Sequence, residues 1–434
     1  MGKQISRKKN KDLILIQLLL ILIIQSEQSE ESDKHNTFVS FIEFKEELTQ
    51  VGQQEVVDQS MTTVKSIIRP ERVVFASLLI ILVHVVASLM NTPASIQLIL
   101  NSVTCVYIGC FLTFRVERKH NEEFHKRSLS EDAETMTSKD AFQFPLYGSL
   151  VLFGIYVLYK FLPKEYLSFI FTSHFMFIGI FCVGAVFEIP FSAVFQDKYE
   201  KVNVIKRKIN INLPLLKKEI DLDFNLQQII CIALALIPTV SYILSRNWIA
   251  NNIFGIAFSV MGINNLVLPN FKVGYILMWG LFFYDIFWVY GTDVMVTVAK
   301  SFDAPIKLIF PFDWENNKHS MLGLGDIVIP GVFVALALKY DIDQQLKKAI
   351  NIHAVKTPYF NWCFGGYIAG IITTFVVMVV FNHPQPALLF LVPGCTISVL
   401  IKALLDGKLK ELFLYEESEK GISNTQAVQE QKAD

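Results

Sequence analysis

Two aspartates lie inside long apolar runs: Asp285 in the stretch GLFFYDIFWVYG and Asp326 in MLGLGDIVIPG. A carboxylate at the centre of a membrane helix costs roughly 2.5–3.5 kcal/mol on insertion scales, so its presence asks for a role. Glu188 and Asp406 sit at the edges of apolar runs, where water can reach them. Two carboxylates that approach each other in a low-dielectric interior cannot both ionise. One keeps its proton, the other does not, and the pair becomes a general acid and a general base. Peptide hydrolysis by water requires that division of labour. The ionised member takes a proton from water, and the protonated member bonds the scissile carbonyl and stabilises the developing oxyanion. The pair titrates as a unit, and the sequence does not say which aspartate starts in which state. The chemistry calls for water and for no metal or cofactor.

The spacing allows the two to meet. Asp285 precedes Gly291, the end of its run, by six residues. That is about 9 Å at 1.5 Å per helical residue. Asp326 falls in the first turn of the next run, which starts from the same face. Consecutive antiparallel helices therefore hold both carboxylates at similar depth. Gly323 and Gly325 flank Leu324 just ahead of Asp326, and glycine lets another backbone come close. A substrate helix must unwind before its amide can be attacked, and an extended strand laid against this glycine segment is one way to hold it. Pro386, Ala387 and Leu388 open the last apolar run. A proline at a helix start leaves the backbone before it free to pair.

The elements that must position these residues are membrane helices. The chain has 434 residues, of which 52% are hydrophobic and 18% charged, with a mean hydropathy of +0.42. The net charge of -1 gives no reason to expect a nucleic-acid partner. Apolar runs of about 20 residues span a hydrocarbon core as helices, because lipid offers backbone groups no water. Nine spans are expected, at 94–114, 145–162, 166–187, 226–245, 249–268, 272–291, 323–340, 363–381 and 386–405, in an all-α polytopic fold. The six cysteines, Cys105, Cys110, Cys182, Cys231, Cys363 and Cys395, lie in or beside these runs without a C-x-x-C and read as small packing residues. Basic residues gather after the first span (Arg115, Arg118, Lys119, Lys126, Arg127), after the third (Lys198 to Lys218) and after the seventh (Lys339, Lys347, Lys348, Lys356). Basic loops face the cytosol. The tail after 405 is then cytosolic, and the 292–322 loop is lumenal or external.

The first 93 residues are harder to read. Lys3, Arg7, Lys8, Lys9 and Lys11 precede an apolar run, Leu13–Ile24, and a polar stretch follows. That is a signal-peptide layout without a small-x-small cleavage site, and a reading in which the run is too short to insert stays open. A second run, Val73–Met90, has nearly the length of a span. If both acted, every later helix would invert against its basic loops, so only one is expected to cross or target. The organisation expected is an N-terminal extension at 1–93, membrane helices with cytosolic loops at 94–225, a catalytic membrane region at 226–405 and a cytosolic tail at 406–434.

Tyr284-Asp285, Gly323-Leu324-Gly325-Asp326 and Pro386-Ala387-Leu388, in that order, resemble the three motifs of the presenilin-type GxGD intramembrane aspartyl proteases. The likeness is to the signal peptide peptidase branch. The flanks NWIANNIFGIAFS (247–259), DVMVTVAKSFDAPIKLIFP (293–311), QPALLFLVP (385–393), LYEES (414–418) and MTSKDAFQFP (136–145) resemble the same family. The resemblance covers about residues 91–418. A single GxGD would carry little, but three ordered motifs are specific. The resemblance implies a nine-helix fold and a catalytic pair of Asp285 and Asp326. It also implies substrate contacts at Tyr284, Gly323, Leu324, Gly325, Pro386, Ala387 and Leu388. Expected partners are the lipid bilayer and transmembrane or signal-peptide substrates of type II topology, in the endoplasmic reticulum membrane. Self-association into a homo-oligomer stays open. The orientation read from the loops is that of signal peptide peptidases and opposite to that of presenilins.

Blander readings exist for each feature. The aspartates could be a structural pair or an ion pathway, although a transporter would be expected to show repeated halves. Tyr284 could pack among Phe282, Phe283, Phe287 and Trp288, and the glycines could serve helix packing alone. HNEEFH (120–125) resembles a zinc-protease HExxH, but its histidines are five apart and do not share a helix face. His84 and His174, in apolar runs, read as packed. A protein that escorts membrane clients without cutting them is a third class, against which both aspartates stand.

Overall fold

The computed structural model describes residues 70–89, 93–124, 136–195, 203–213, 216–292, 304–313, 318–347, 356–381 and 385–415. All fall within one compact unit, Ser66–Asp434. The run Leu13–Ile24, the polar segment 25–69, much of the basic loops and the tail from 416 lie outside the described residues, as do the side chains of 120–125.

Eleven helices are described: α1 Pro70–Leu89, α2 Ala94–Phe124, α3 Ser138–Phe161, α4 Lys164–Phe195, α5 Leu226–Ser245, α6 Trp248–Asn265, α7 Phe271–Tyr290, α8 Gly325–Lys347, α9 Pro358–Phe381, α10 Leu388–Leu405 and the short α11 Leu409–Leu414. Helices α2 to α10 fall on the nine expected spans. Seven of them are long and apolar enough to cross a membrane on length and composition alone. The two that are not are α6, which carries Asn251, Asn252, Asn264 and Asn265, and α8, which carries Asp326, Lys339 and Asp341. Their polar residues are the reason they fall short. In α1 the apolar stretch among the described side chains is Phe75–Ser88, within the run Val73–Met90.

Local sequence sets the helix starts. Thr137 and Asp140 form a capping box ahead of α3. The Asn247 side chain accepts from the Ile249 amide at 2.9 Å, and that of Asn270 from the Val273 amide at 2.9 Å. Each satisfies an amide that has no partner within its own helix. The six cysteines are unpaired, and all but Cys182 are buried.

Helix α8 is the centre. Every residue from Pro330 to Ile342 is buried, and α2, α6, α7, α9 and α10 surround it. Its buried stretch includes Lys339 and Asp341, which lipid cannot solvate, and the Phe360 amide of α9 donates to Asp341 Oδ2 at 2.8 Å. Helices α9 and α10 meet backbone to backbone: a Cβ on Gly366 would stand 2.1 Å from the Gly394 carbonyl oxygen.

The all-α expectation needs one amendment, because two antiparallel hairpins interrupt the helices. Strand β1 Asn203–Leu213 pairs with β2 Leu216–Asn225, and β3 Lys307–Asp313 with β4 Lys318–Gly323. The second lies in the segment read as a loop. Leu308, Phe310 and Leu322 on it are buried, so the hairpin is part of the bundle's core, against α6 and α2.

The glycine contact gives a test. Gly366→Ala must separate α9 from α10 and is expected to cost about 1–3 kcal/mol, as overpacking does. Gly365→Ala, whose Cβ would meet nothing within 4 Å, is expected to leave the thermal unfolding midpoint no lower and, by the better helix propensity of Ala, slightly higher.

Candidate active site

Asp285 is carried on the last turns of α7 and is 5% exposed. Its carboxylate oxygen Oδ2 accepts a hydrogen bond from the Leu388 amide at 3.3 Å. Leu388 is the first residue of α10, so its N–H has no carbonyl partner within that helix. Pro386 and Ala387 lie just before the helix rather than in it, and both are buried. The Tyr290 hydroxyl, at the end of α7, donates to Gln385 Oε1. The Pro386-Ala387-Leu388 segment is thus tied to α7 at two points, of which the Tyr290–Gln385 one was not foreseen.

Asp326 is the second residue of α8. It is only half-buried, and its carboxyl lies within electrostatic reach of Asp285. The two aspartates therefore share one site, reached from consecutive helices. Gly323 ends β4, and a Cβ there would stand 3.3 Å from Asp326 Oδ2. Around Gly325 there is open space: a Cβ would meet nothing within 4 Å. Gly323, Gly325 and Asp326 thus form the accessible side of the site, and Asp285, Ala387 and Leu388 the buried side.

Tyr284 does not reach the aspartates by any described hydrogen bond. Its ring lies 6.3 Å from that of Trp288 and against Gly148 of α3, which is the packing reading. Trp288 Nε1 donates to Ser149 Oγ at 3.0 Å, fastening α7 to α3. Leu324 is partly buried, and its backbone N–H continues the hairpin by bonding the Ile306 carbonyl at 3.1 Å.

His84 is packed, with its ring 5.3 Å from Phe310 of β3 and 5.9 Å from Trp248. No group of three or more potential metal ligands occurs among the described residues.

Residues 128–419 match the sequence profile of the Signal peptide peptidase family. The chain belongs to that family. The chain is 40% identical to Signal peptide peptidase of Mus musculus over 343 residues, which is 76% of this chain and 85% of the relative. Against Signal peptide peptidase of Homo sapiens the identity is 39%, over 76% and 86%. Intramembrane protease 2 of Caenorhabditis elegans is 46% identical over 207 residues, 45% of this chain and 44% of that protein. As a signal peptide peptidase family member, the chain is a multi-pass membrane protein and an intramembrane aspartyl protease. Helices α1 and α2 precede the matched segment.

The open space at Gly325 makes a prediction. A Cβ there meets nothing within 4 Å, and a side chain built on it projects into the accessible side of the site. Gly325→Val is expected to change stability by no more than about 0.5 kcal/mol, as at an unobstructed surface position. Turnover of a transmembrane peptide is expected to be lost. A thermal melt beside a cleavage assay checks both halves.

Proposed function

We propose that Asp285 and Asp326 are the catalytic pair, and that they cut transmembrane segments of type II topology, including signal-peptide remnants, in the endoplasmic reticulum membrane. The observation that carries the pairing is the convergence of two carboxylates from consecutive helices on one partly open site. One carboxylate deprotonates a water molecule, which attacks the scissile carbonyl carbon. The other donates a hydrogen bond to the carbonyl oxygen as it becomes an oxyanion. The C–N bond then breaks, and the proton taken from water passes to the leaving amine. The Leu388 amide fixes the Asp285 carboxylate in place while the proton moves.

The substrate class rests on the likeness to relatives named signal peptide peptidases and on the orientation of the basic loops, which also supports a cytosolic C-terminus. Substrate capture is read from the hairpin. In an antiparallel pair, backbone groups alternate between facing the partner strand and facing away. Met321 and Gly323 stand opposite Ile309 and Lys307, whose polar groups face away from β4. Those of Met321 and Gly323 therefore face outward too, on an edge that ends beside Asp326. An unwound substrate strand laid on that edge regains hydrogen bonds lost from its helix. Gly323, Leu324, Gly325, Pro386, Ala387 and Leu388 then line the substrate, and Tyr284 supports α7 from behind.

Two outcomes are expected. Asp285→Ala and Asp326→Ala each abolish cleavage of a synthetic signal peptide by detergent-purified, folded protein, whereas wild type cuts it. Near-normal turnover by either variant would remove that residue from the pair. Replacing helix-favouring residues near the scissile bond by Gly or Asn lowers the cost of unwinding by up to about 1 kcal/mol per residue. Such peptides are expected to be cut several-fold faster.

A further inference from the structure

Helix α6 contains two adjacent asparagines, Asn251 and Asn252, that are 3% and 0% exposed. Asparagine is a poor helix former, and a buried carboxamide in a membrane bundle must be hydrogen-bonded to be tolerated. Both are bonded to the same strand. Asn252 Nδ2 donates to the Ile309 carbonyl at 2.8 Å, and the Ile309 amide donates to Asn252 Oδ1 at 2.8 Å. Asn251 Nδ2 donates to the Lys307 carbonyl at 2.7 Å. The Asn252 carboxamide therefore makes with Ile309 the pair of bonds that a neighbouring strand would make. Gly255, on the same side of α6, lets the strand lie close: a Cβ there would stand 2.8 Å from Leu308 Cδ2.

The consequence follows from sheet geometry. A two-stranded sheet has two outer edges, and an extended peptide can pair with either. Here α6 occupies the outer edge of β3 at Lys307 and Ile309. The outer edge of β4, at Met321 and Gly323, has no backbone partner among the described residues. The blocked edge faces α6, and the open edge leads into Gly323, Gly325 and Asp326.

We infer that Asn252, assisted by Asn251, is a positioning residue for proteolysis: its carboxamide substitutes for a third strand, so that a substrate strand can add only to β4 and in one register relative to Asp326. Asn252 touches neither the substrate nor the aspartates. It acts through Ile309, the β3–β4 pairing and Gly323. The inference rests on the catalytic pair and the β4 edge proposed above. It adds what fixes the hairpin and selects the edge.

The test uses full-length protein and a synthetic transmembrane peptide, with products mapped by mass spectrometry. A short hydroxyethylene peptide isostere reports on the aspartates separately. Asn252→Ala is expected to raise KM about tenfold while kcat changes little, the mark of lost substrate binding rather than lost chemistry. Its cleavage is expected to spread over neighbouring peptide bonds, and isostere affinity to stay at the wild-type level. Asn251→Ala, which removes one bond to the strand instead of two, is expected to shift both readouts less. Asn252→Gln, which keeps the carboxamide, is expected to recover part of each. Wild-type KM and a single cut site in Asn252→Ala would overturn the inference. So would a parallel fall in isostere binding and turnover, which marks a general defect of the site.

Hydrogen exchange keeps the test alive if Asn252→Ala does not fold. In Asp285→Ala protein the Ile309 amide is expected to be protected without substrate. The Met321 and Gly323 amides are expected to gain protection only when uncut peptide is added. Rapid exchange at Ile309, or substrate-induced protection there instead of on β4, would contradict the inference. Cleavage surviving Asp285→Ala would instead refute the catalytic pair and leave protection at Ile309 intact, so the two failures are distinguishable.

Discussion

Everything in this fold answers to one constraint: polar groups inside a membrane bundle have no water to bond and must be satisfied by the protein. The helices satisfy their own backbones. The proposed reaction needs two carboxylates, a strand edge and the free end of a helix, and these lie near one another. The Asp285 carboxylate takes the otherwise unmatched amide of Leu388. Asp326 lies in the first turn of α8, where the helix dipole favours negative charge. The outer edge of β3 is covered by Asn251 and Asn252. Among the described residues the β4 edge beside Asp326 has no backbone partner, and in the proposed capture a substrate strand supplies one.

Rigidity and openness are divided accordingly. Helix α8 is enclosed along most of its length, and the Gly366–Gly394 contact holds α10 against α9. Asp285 and Leu388 are therefore fixed by packing that has little freedom to adjust. Gly323, Gly325 and the half-buried Asp326 lie at the other extreme, beside unfilled space. A substrate helix gives up one backbone hydrogen bond for each residue it unwinds. In the proposed capture, pairing with β4 returns some of these, so the extended state is stabilised only where it lies next to the aspartates. Selectivity for the scissile bond then comes from strand register as much as from side-chain pockets.

Much of this could be read from the sequence, and the rest was hidden for physical reasons. The meeting of Asp285 and Asp326 followed from their distances to the ends of consecutive apolar runs. Seven of the expected helix positions follow from length and hydropathy, whereas α6 and α8 are too polar to meet that criterion. The β3–β4 hairpin was missed because it is short and lies in a segment between two spans, where a loop is the default. Its one signal was the short apolar run Leu308-Ile309-Phe310 after Lys307, of which Leu308 and Phe310 are buried. Asn251 and Asn252 stood in view as part of a familiar flank, but their role depends on a strand more than fifty residues away in sequence. No local pattern reports such a contact. The Tyr290–Gln385 bond was invisible for the same reason, since it joins the ends of two helices nearly a hundred residues apart.

The central claim is that two carboxylates share one proton and act as acid and base on a single water molecule. The dependence of kcat/KM on pH tests it most directly, measured for one peptide in one detergent or lipid with folding monitored at each point. The account predicts a bell: activity falls on the acid side as the base is protonated and on the alkaline side as the acid is lost. A profile with one limb only, from protein that stays folded throughout, would mean that a single group titrates and would contradict the shared-proton pair.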